Sequence, residues 1–286
     1  MRSRAVLALA VVVLAGVGLI TACSEAAPLV TPHITLDLSV FQLRSDYAPR
    51  QAQIEIHNRS PHDITVTSAR FSSTWFDGDA SSASAPATVL AGATTDFPVV
   101  LGAPLCTAAT AVPRVTVEYR TKNGARGEVT ATPSIPFDSL GTVHASDCAK
   151  VAFETVATIT PATALRYEEV DGRPIALLDL TFAPTGAAGS VILRSTEDTT
   201  LLAQREGQLR TVDLTFSAAS APTVLTLDYV PSRCEQHVVA EDKVGTQVPI
   251  RADAGSFSNA LFTVAVSPAV KAEFYDWFAR YCGWKN

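Results

Sequence analysis

Cys234 and His237 stand in C-x-x-H spacing, and His237 and Glu241 would share a face if the segment were helical, a pattern suited to zinc or copper. The ligand set ends there. The other four histidines are scattered at 33, 57, 62 and 144, the one methionine is the initiator, and no second cluster completes four ligands, so no metal site is expected. Asp77, Asp79 and Ser81 open like a calcium loop, but position six is Ser82 rather than Gly and position twelve is Thr88 rather than Glu. Nucleophilic catalysis lacks a G-x-S-x-G elbow, and Gly255-Ser256-Phe257-Ser258-Asn259 does not substitute for one. No Gly-rich phosphate loop is present. Glu168, Glu169 and Asp171 beside a Gly turn read as a solvated loop. No catalytic residue, no cofactor and no enzymatic activity are expected.

The densest group of ionisable side chains is the run from Arg233 to Lys243, where Arg233, Glu235, His237, Glu241, Asp242 and Lys243 crowd into eleven residues of a chain that is only 17% charged. An enlarged loop on a rigid scaffold is where binding residues tend to lie, so this loop is a candidate partner-binding surface. The same side chains would equally serve to satisfy one another across the loop.

The elements that position this loop alternate with period two. Ala52, Ile54 and Ile56 alternate with polar neighbours, as do Val115, Val117 and Tyr119, and later Leu178, Leu180 and Phe182, Val212, Leu214 and Phe216, and Leu225, Leu227 and Tyr229. Turn signals at Asn58-Arg59-Ser60-Pro61, Asp77-Gly78, Asn123-Gly124, Asp171-Gly172 and Glu206-Gly207 separate them. The pattern predicts an all-β chain of two tandem immunoglobulin-like sandwiches, residues 33–148 and 152–286. Asp96 to Tyr119 in the first half aligns with Asp213 to Tyr229 in the second if a gap of seven is allowed, which suggests an internal repeat. Aligning Tyr119 with Tyr229 and Gly127 with Gly245 makes the charged loop an insertion of eight. One helix is predicted after Ser267, with Pro268 at its first position, Val270, Phe274, Trp277, Phe278 and Tyr281 along one face, and Gly283 at its end.

Five cysteines divide into one plus four. Cys106, Cys148, Cys234 and Cys282 allow three connectivities on counting alone. The two-domain reading selects Cys106–Cys148 and Cys234–Cys282, which keeps each bond inside one half.

The fifth cysteine lies near the start. Arg2 and Arg4 precede an uncharged stretch from Ala5 to Ile20, the basic and apolar regions of a secretory signal. The stretch closes on Leu19-Ile20-Thr21-Ala22-Cys23, which resembles a bacterial lipobox. Ile20 departs slightly from it, since Leu is commoner there. The resemblance implies a signal peptide over residues 1–22, lipidation of Cys23, a short tether over 23–32, and anchorage at the outer face of the cytoplasmic membrane. Loss of Arg2 and Arg4 takes the formal charge from −6 to −8, so attachment rests on lipid rather than on basic side chains. That sign also argues against nucleic acid as a partner. Arg-Cys-Glu-Gln-His at 233–237, followed by Glu241-Asp242-Lys243 and Gly245-Thr246, is similar to a segment of uncharacterised actinobacterial secreted proteins and lipoproteins. That likeness implies a cell-envelope setting and no activity. The expected function is that of a non-catalytic lipoprotein binding an envelope protein, with a small-ligand or metal receptor as the alternative.

Overall fold

The computed structural model describes residues 33–284 except 206 and 208. The signal peptide, Cys23 and the tether lie outside the described residues.

Eight strands open the described part of the chain: β1 (Leu36–Phe41), β2 (Gln51–Asn58), β3 (Ile64–Ser73), β4 (Phe76–Ser81), β5 (Ala87–Val89), β6 (Thr94–Val100), β7 (Arg114–Thr121) and β8 (Arg126–Ala131). Helix α1 (Ser139–Val156) comes next, then β9 (Ala157–Pro161), β10 (Arg166–Val170), β11 (Arg173–Pro184), β12 (Ser190–Glu197), β13 (Leu202–Gln204), β14 (Leu209–Ser217) and β15 (Thr223–Pro231). A five-residue helix α2 (Gln236–Ala240), β16 (Gln247–Ala254), β17 (Phe257–Ala265) and α3 (Pro268–Cys282) complete it.

The strands form two sandwiches. In the first, sheet β1-β2-β6 faces sheet β4-β3-β7-β8, with β5 beside β3. In the second, β10-β11-β15-β13, with β9 beside β11, faces β14-β12-β16-β17. The alternation is realised as expected: Ala52, Ile54, Ile56, Val115 and Val117 enter the first core, and Leu178, Leu180, Phe182 and Leu227 enter the second. Asp171 and Gly172 both take positive φ, which lets the two-residue turn between β10 and β11 follow the strand twist.

The strand orders make β2 equivalent to β11, β3 to β12, β6 to β15, β7 to β16 and β8 to β17. Tyr119 lies on β7 and Tyr229 on β15, so the alignment of these tyrosines joins strands that are not equivalent. Both strands carry an apolar-x-apolar-x-Tyr run because both are half-buried, and period two alone does not distinguish them. The correspondence lies in the disulfides. Cys106, between β6 and β7, bonds Cys148 of the helix after β8; Cys234, between β15 and β16, bonds Cys282 of the helix after β17. The Cα separations are 5.5 and 5.6 Å.

Helix α3 forms as its end signals direct. The Ser267 hydroxyl accepts from the Val270 amide at 3.2 Å, and Gly283 closes the helix at φ 65°. Val270, Phe274, Trp277 and Phe278 are buried in the second core, and the Trp277 indole donates to the Pro174 carbonyl at 2.6 Å.

Helix α1 is not among the sequence expectations, and it runs without a break through the 148–152 junction. Its first half belongs to the first sandwich, where Leu140 is buried, and its second half belongs to the second, where Ala149, Phe153 and Val156 are buried. Phe153 sits among Phe182, Phe216 and Phe262, with ring centroids 6.2, 6.3 and 5.8 Å away. These come from both sheets of the second sandwich, so the helix inserts a ring between its layers.

Truncating Phe153 therefore removes a fully buried ring from a core it enters from outside the strands. Phe153→Ala is expected to cost about 3–5 kcal/mol in denaturant unfolding, and Phe153→Leu distinctly less.

Candidate functional site

The segment between β8 and α1, the β1–β2 connection and strand β17 enclose an open cleft of about 1030 Å³. The first sandwich contributes Phe41, Leu43, Tyr47, Arg50 and Glu55; the α1 side contributes Pro136, Phe137, Val143 and Asp147; β17 contributes Phe257, Ala260 and Leu261. Several lining side chains are unusually open to solvent for their apolar character: Leu43 is 45% exposed, Tyr47 49%, Leu261 40% and Phe137 100%. Contiguous apolar surface of this kind marks interaction sites.

Phe137 owes its position to its backbone. Phe137 and Asp138 take φ of 57° and 49°, two consecutive non-glycine residues in the left-handed region. Each such residue costs about 1–3 kcal/mol, and they persist only where the surroundings over-determine them. Asp138 is accommodated by the first turn of α1. A Cβ on Gly141 would lie 2.5 Å from its carboxylate oxygens, so glycine makes room for the acid there.

Arg50 ties the cleft together. Its guanidinium donates to Asp147 of α1 at 2.6 Å and to the Gly102 carbonyl at 3.1 Å, while its own carbonyl accepts from Leu101. Its Nε is buried with no partner among the described residues, and its φ is 53°. Burial pushes the Asp147 carboxyl up from its ordinary range, against the opposing pull of Arg50. Beside this pair the first sandwich is acidic. Glu55 on β2 stands opposite Asp96 on β6, and Asp46 is close by. Desolvation first, then the Glu55 and Asp46 charges, push the Asp96 carboxyl up.

The loop from Arg233 to Lys243 lies on the second sandwich, between β15 and β16, with α2 inside it. Asp242 turns inward: its side chain is 1% exposed, it accepts from the Tyr275 hydroxyl at 2.9 Å and the Gly245 amide at 2.5 Å, and it lies 3.4 Å from the Lys271 ammonium. It therefore fixes the loop to α3. Arg233, Glu235, His237, Glu241 and Lys243 are exposed, and among the described residues no ion pair joins them to one another. Cys234 is held by Cys282, so its sulfur is not a free thiolate beside His237.

Sequence reasoning missed the cleft and His144. The ring of His144 stacks on Trp75 at 4.7 Å and meets Phe76 edge-on, and its Nε2 is 3.4 Å from the Cys148 sulfur. The i, i+4 spacing of His144 and Cys148 is the one sequence signal that pointed there, and it becomes visible only once the segment is known to be helical.

The chain matches no protein-family model and no curated protein. Among solved structures it is similar to a domain described as "Biofilm associated protein - BSP domain", with a TM-score of 0.24 and 9% identity over 80% of this chain. It is also similar to red sea bream transglutaminase, with a TM-score of 0.21 and 13% identity over 82% of this chain. It spans 57% and 32% of the lengths of those two chains.

The folded chain holds the Asp96 proton more tightly than the unfolded chain, so the ionised carboxylate costs stability above its raised folded value. Asp96→Asn is expected to raise the Tm at pH 7. The advantage should shrink as pH falls through the raised folded value toward 3.8, where the wild-type carboxyl also becomes neutral, and thermal unfolding of both proteins across pH 3.5–7 measures it.

Proposed function

We propose that this chain is a non-catalytic, lipid-anchored protein of the bacterial cell envelope that captures an apolar segment of an envelope protein in the cleft between its two sandwiches. Cys23 carries the anchor in this reading, after cleavage of residues 1–22, at the outer face of the cytoplasmic membrane. The observation that supports the binding role is Phe137, fully exposed on a strained backbone at the mouth of an apolar cleft. An aromatic ring held in water at conformational cost is suited to become buried against a partner.

The wall chemistry narrows the partner. The cleft is open along β17, which suits an extended segment better than a small molecule enclosed on most sides. Glu55 and Asp96, with the buried Asp46 behind them, make the neighbouring surface acidic, and the mature chain is acidic overall, so a segment with apolar side chains flanked by Lys or Arg fits it. The loop Arg233–Lys243, with Arg233, Glu235, His237, Glu241 and Lys243 exposed, is a second surface available to the same partner.

A photo-cross-linking residue placed at 137 or 261 in the producing cell is expected to give a discrete adduct with an envelope protein. One placed at Val224, an exposed apolar position on β15, should not. Leu261→Arg should remove the adduct from position 137 without changing the Tm. Equal labelling from 224, or adducts that persist in Leu261→Arg, would exclude the cleft. A bound small molecule seen in native mass spectrometry of residues 23–286 would favour the receptor alternative instead.

A further inference from the structure

The two disulfides occupy equivalent places in the two sandwiches, yet their surroundings differ. Each bond has one exposed residue, Cys106 in the connection between β6 and β7 and Cys234 between β15 and β16, but Cys148 is 1% exposed within α1 whereas Cys282 is only half-buried. One helical turn before Cys148, the His144 imidazole places Nε2 at 3.4 Å from the Cys148 sulfur and 3.3 Å from the Leu105 carbonyl. The ring has little freedom to leave, being stacked nearly parallel on Trp75, 4° between planes, with Phe76 at its edge. Around Cys234–Cys282, among the described residues, no side-chain nitrogen bonds either sulfur; the nearby Trp284 indole donates to the Cys234 carbonyl instead.

We propose that Cys106–Cys148 is a thiol-exchange site that accepts a low-molecular-weight thiol on Cys106. Attack on a disulfide runs along the S–S axis, so the exposed sulfur is the one an incoming thiolate reaches and the buried sulfur is the one that leaves. The external thiol first loses its proton to solvent. Its sulfur then forms a bond to Cys106 Sγ, the Cys106–Cys148 bond breaks, and the bonding electron pair stays on Cys148 as a thiolate. The His144 Nε2–H donates to that thiolate in place of the Leu105 carbonyl, which stabilises the leaving group. No net oxidation occurs: one disulfide becomes a mixed disulfide and one thiolate replaces another.

The first sandwich is arranged to survive the step. The connection bearing Cys106 keeps other ties, among them the Leu105 amide to the Trp75 carbonyl at 2.8 Å, the Asp77 amide to the Ala103 carbonyl at 2.8 Å and the Thr74 hydroxyl to the Thr110 carbonyl at 2.7 Å. Helix α1 keeps its Arg50–Asp147 pair and its buried Leu140. The opened Cys148 thiolate thus stays beside the mixed disulfide and closes again by attacking Cys106, which releases the external thiol.

The test exposes the folded protein to millimolar reduced glutathione for a series of times, quenches with an alkylating reagent and maps the peptides by mass spectrometry. The expected result is glutathione on Cys106 and alkyl on Cys148, with Cys234–Cys282 still closed. His144→Phe, which keeps a ring against Trp75 but has no N–H to donate, and checked for an unchanged Tm, should slow the opening about ten-fold, the effect of losing one hydrogen bond to a charged sulfur. Opening of both disulfides at one rate, an adduct on Cys148, or an unchanged rate in His144→Phe overturns the proposal. The first two outcomes need no variant and so do not depend on how the substitution folds.

Discussion

The whole chain depends on one helix being buried twice. Leu140 completes the apolar interior of the first sandwich, and Phe153, thirteen residues on, fills a space between Phe182, Phe216 and Phe262 in the second. A rigid element shared by two cores has no hinge within it, so every contact that fixes α1 on one side also sets the second sandwich against the first. The Arg50–Asp147 pair, the His144 stack on Trp75 and the Cys106 bond all act on the first side of this helix. The cleft exists because of that arrangement: its walls belong to different sandwiches, and the opening of α1 lies between them.

The strands were legible in the sequence because each needs only local information. An alternation such as Ala52, Ile54, Ile56 states which face is dry, and Asp171-Gly172 states where the chain turns, although Asp77-Gly78, read the same way, falls inside β4. Helix α3 was equally legible, since Ser267, Pro268 and Gly283 mark its ends and its apolar residues share one face. Helix α1 offered none of this. At 3.6 residues per turn, Leu140 and Phe153 lie about 140° apart around its axis, because they serve different cores, and the apolar residues therefore make no single stripe. Its first turn carries Gly141, Thr142 and Val143, all weak helix formers, and Asp138 adopts a left-handed conformation with no capping hydrogen bond from its side chain. Tertiary burial forms this helix, and local preference does not.

The pairing of the four paired cysteines was legible once the chain was divided in two, although the division itself falls inside a helix. The cleft was not legible, because its walls come from residues 41–55, 136–147 and 257–263, none of which is unusual alone. Asp242 shows the converse. Its place in a run of charged residues suggested a surface, while Tyr275 and Lys271, some thirty residues later, draw it inward. Charge density along a sequence marks a loop, but which of its charges face solvent is decided by what packs against them.

The short contact between β1 and the segment leading to α1 has a mechanical meaning. The Val40 amide donates to the Ser134 carbonyl and the Ser134 amide to the Leu38 carbonyl, both at 2.9 Å, in a parallel bridge. A pull on the N-terminal side of β1, opposed by a load on the second sandwich through α1, slides these two segments past each other and strains both bonds at once. The first sandwich would thus be loaded in shear rather than peeled open, so tension between the N-terminal end of the chain and anything gripping the second sandwich is borne without first unzipping a strand.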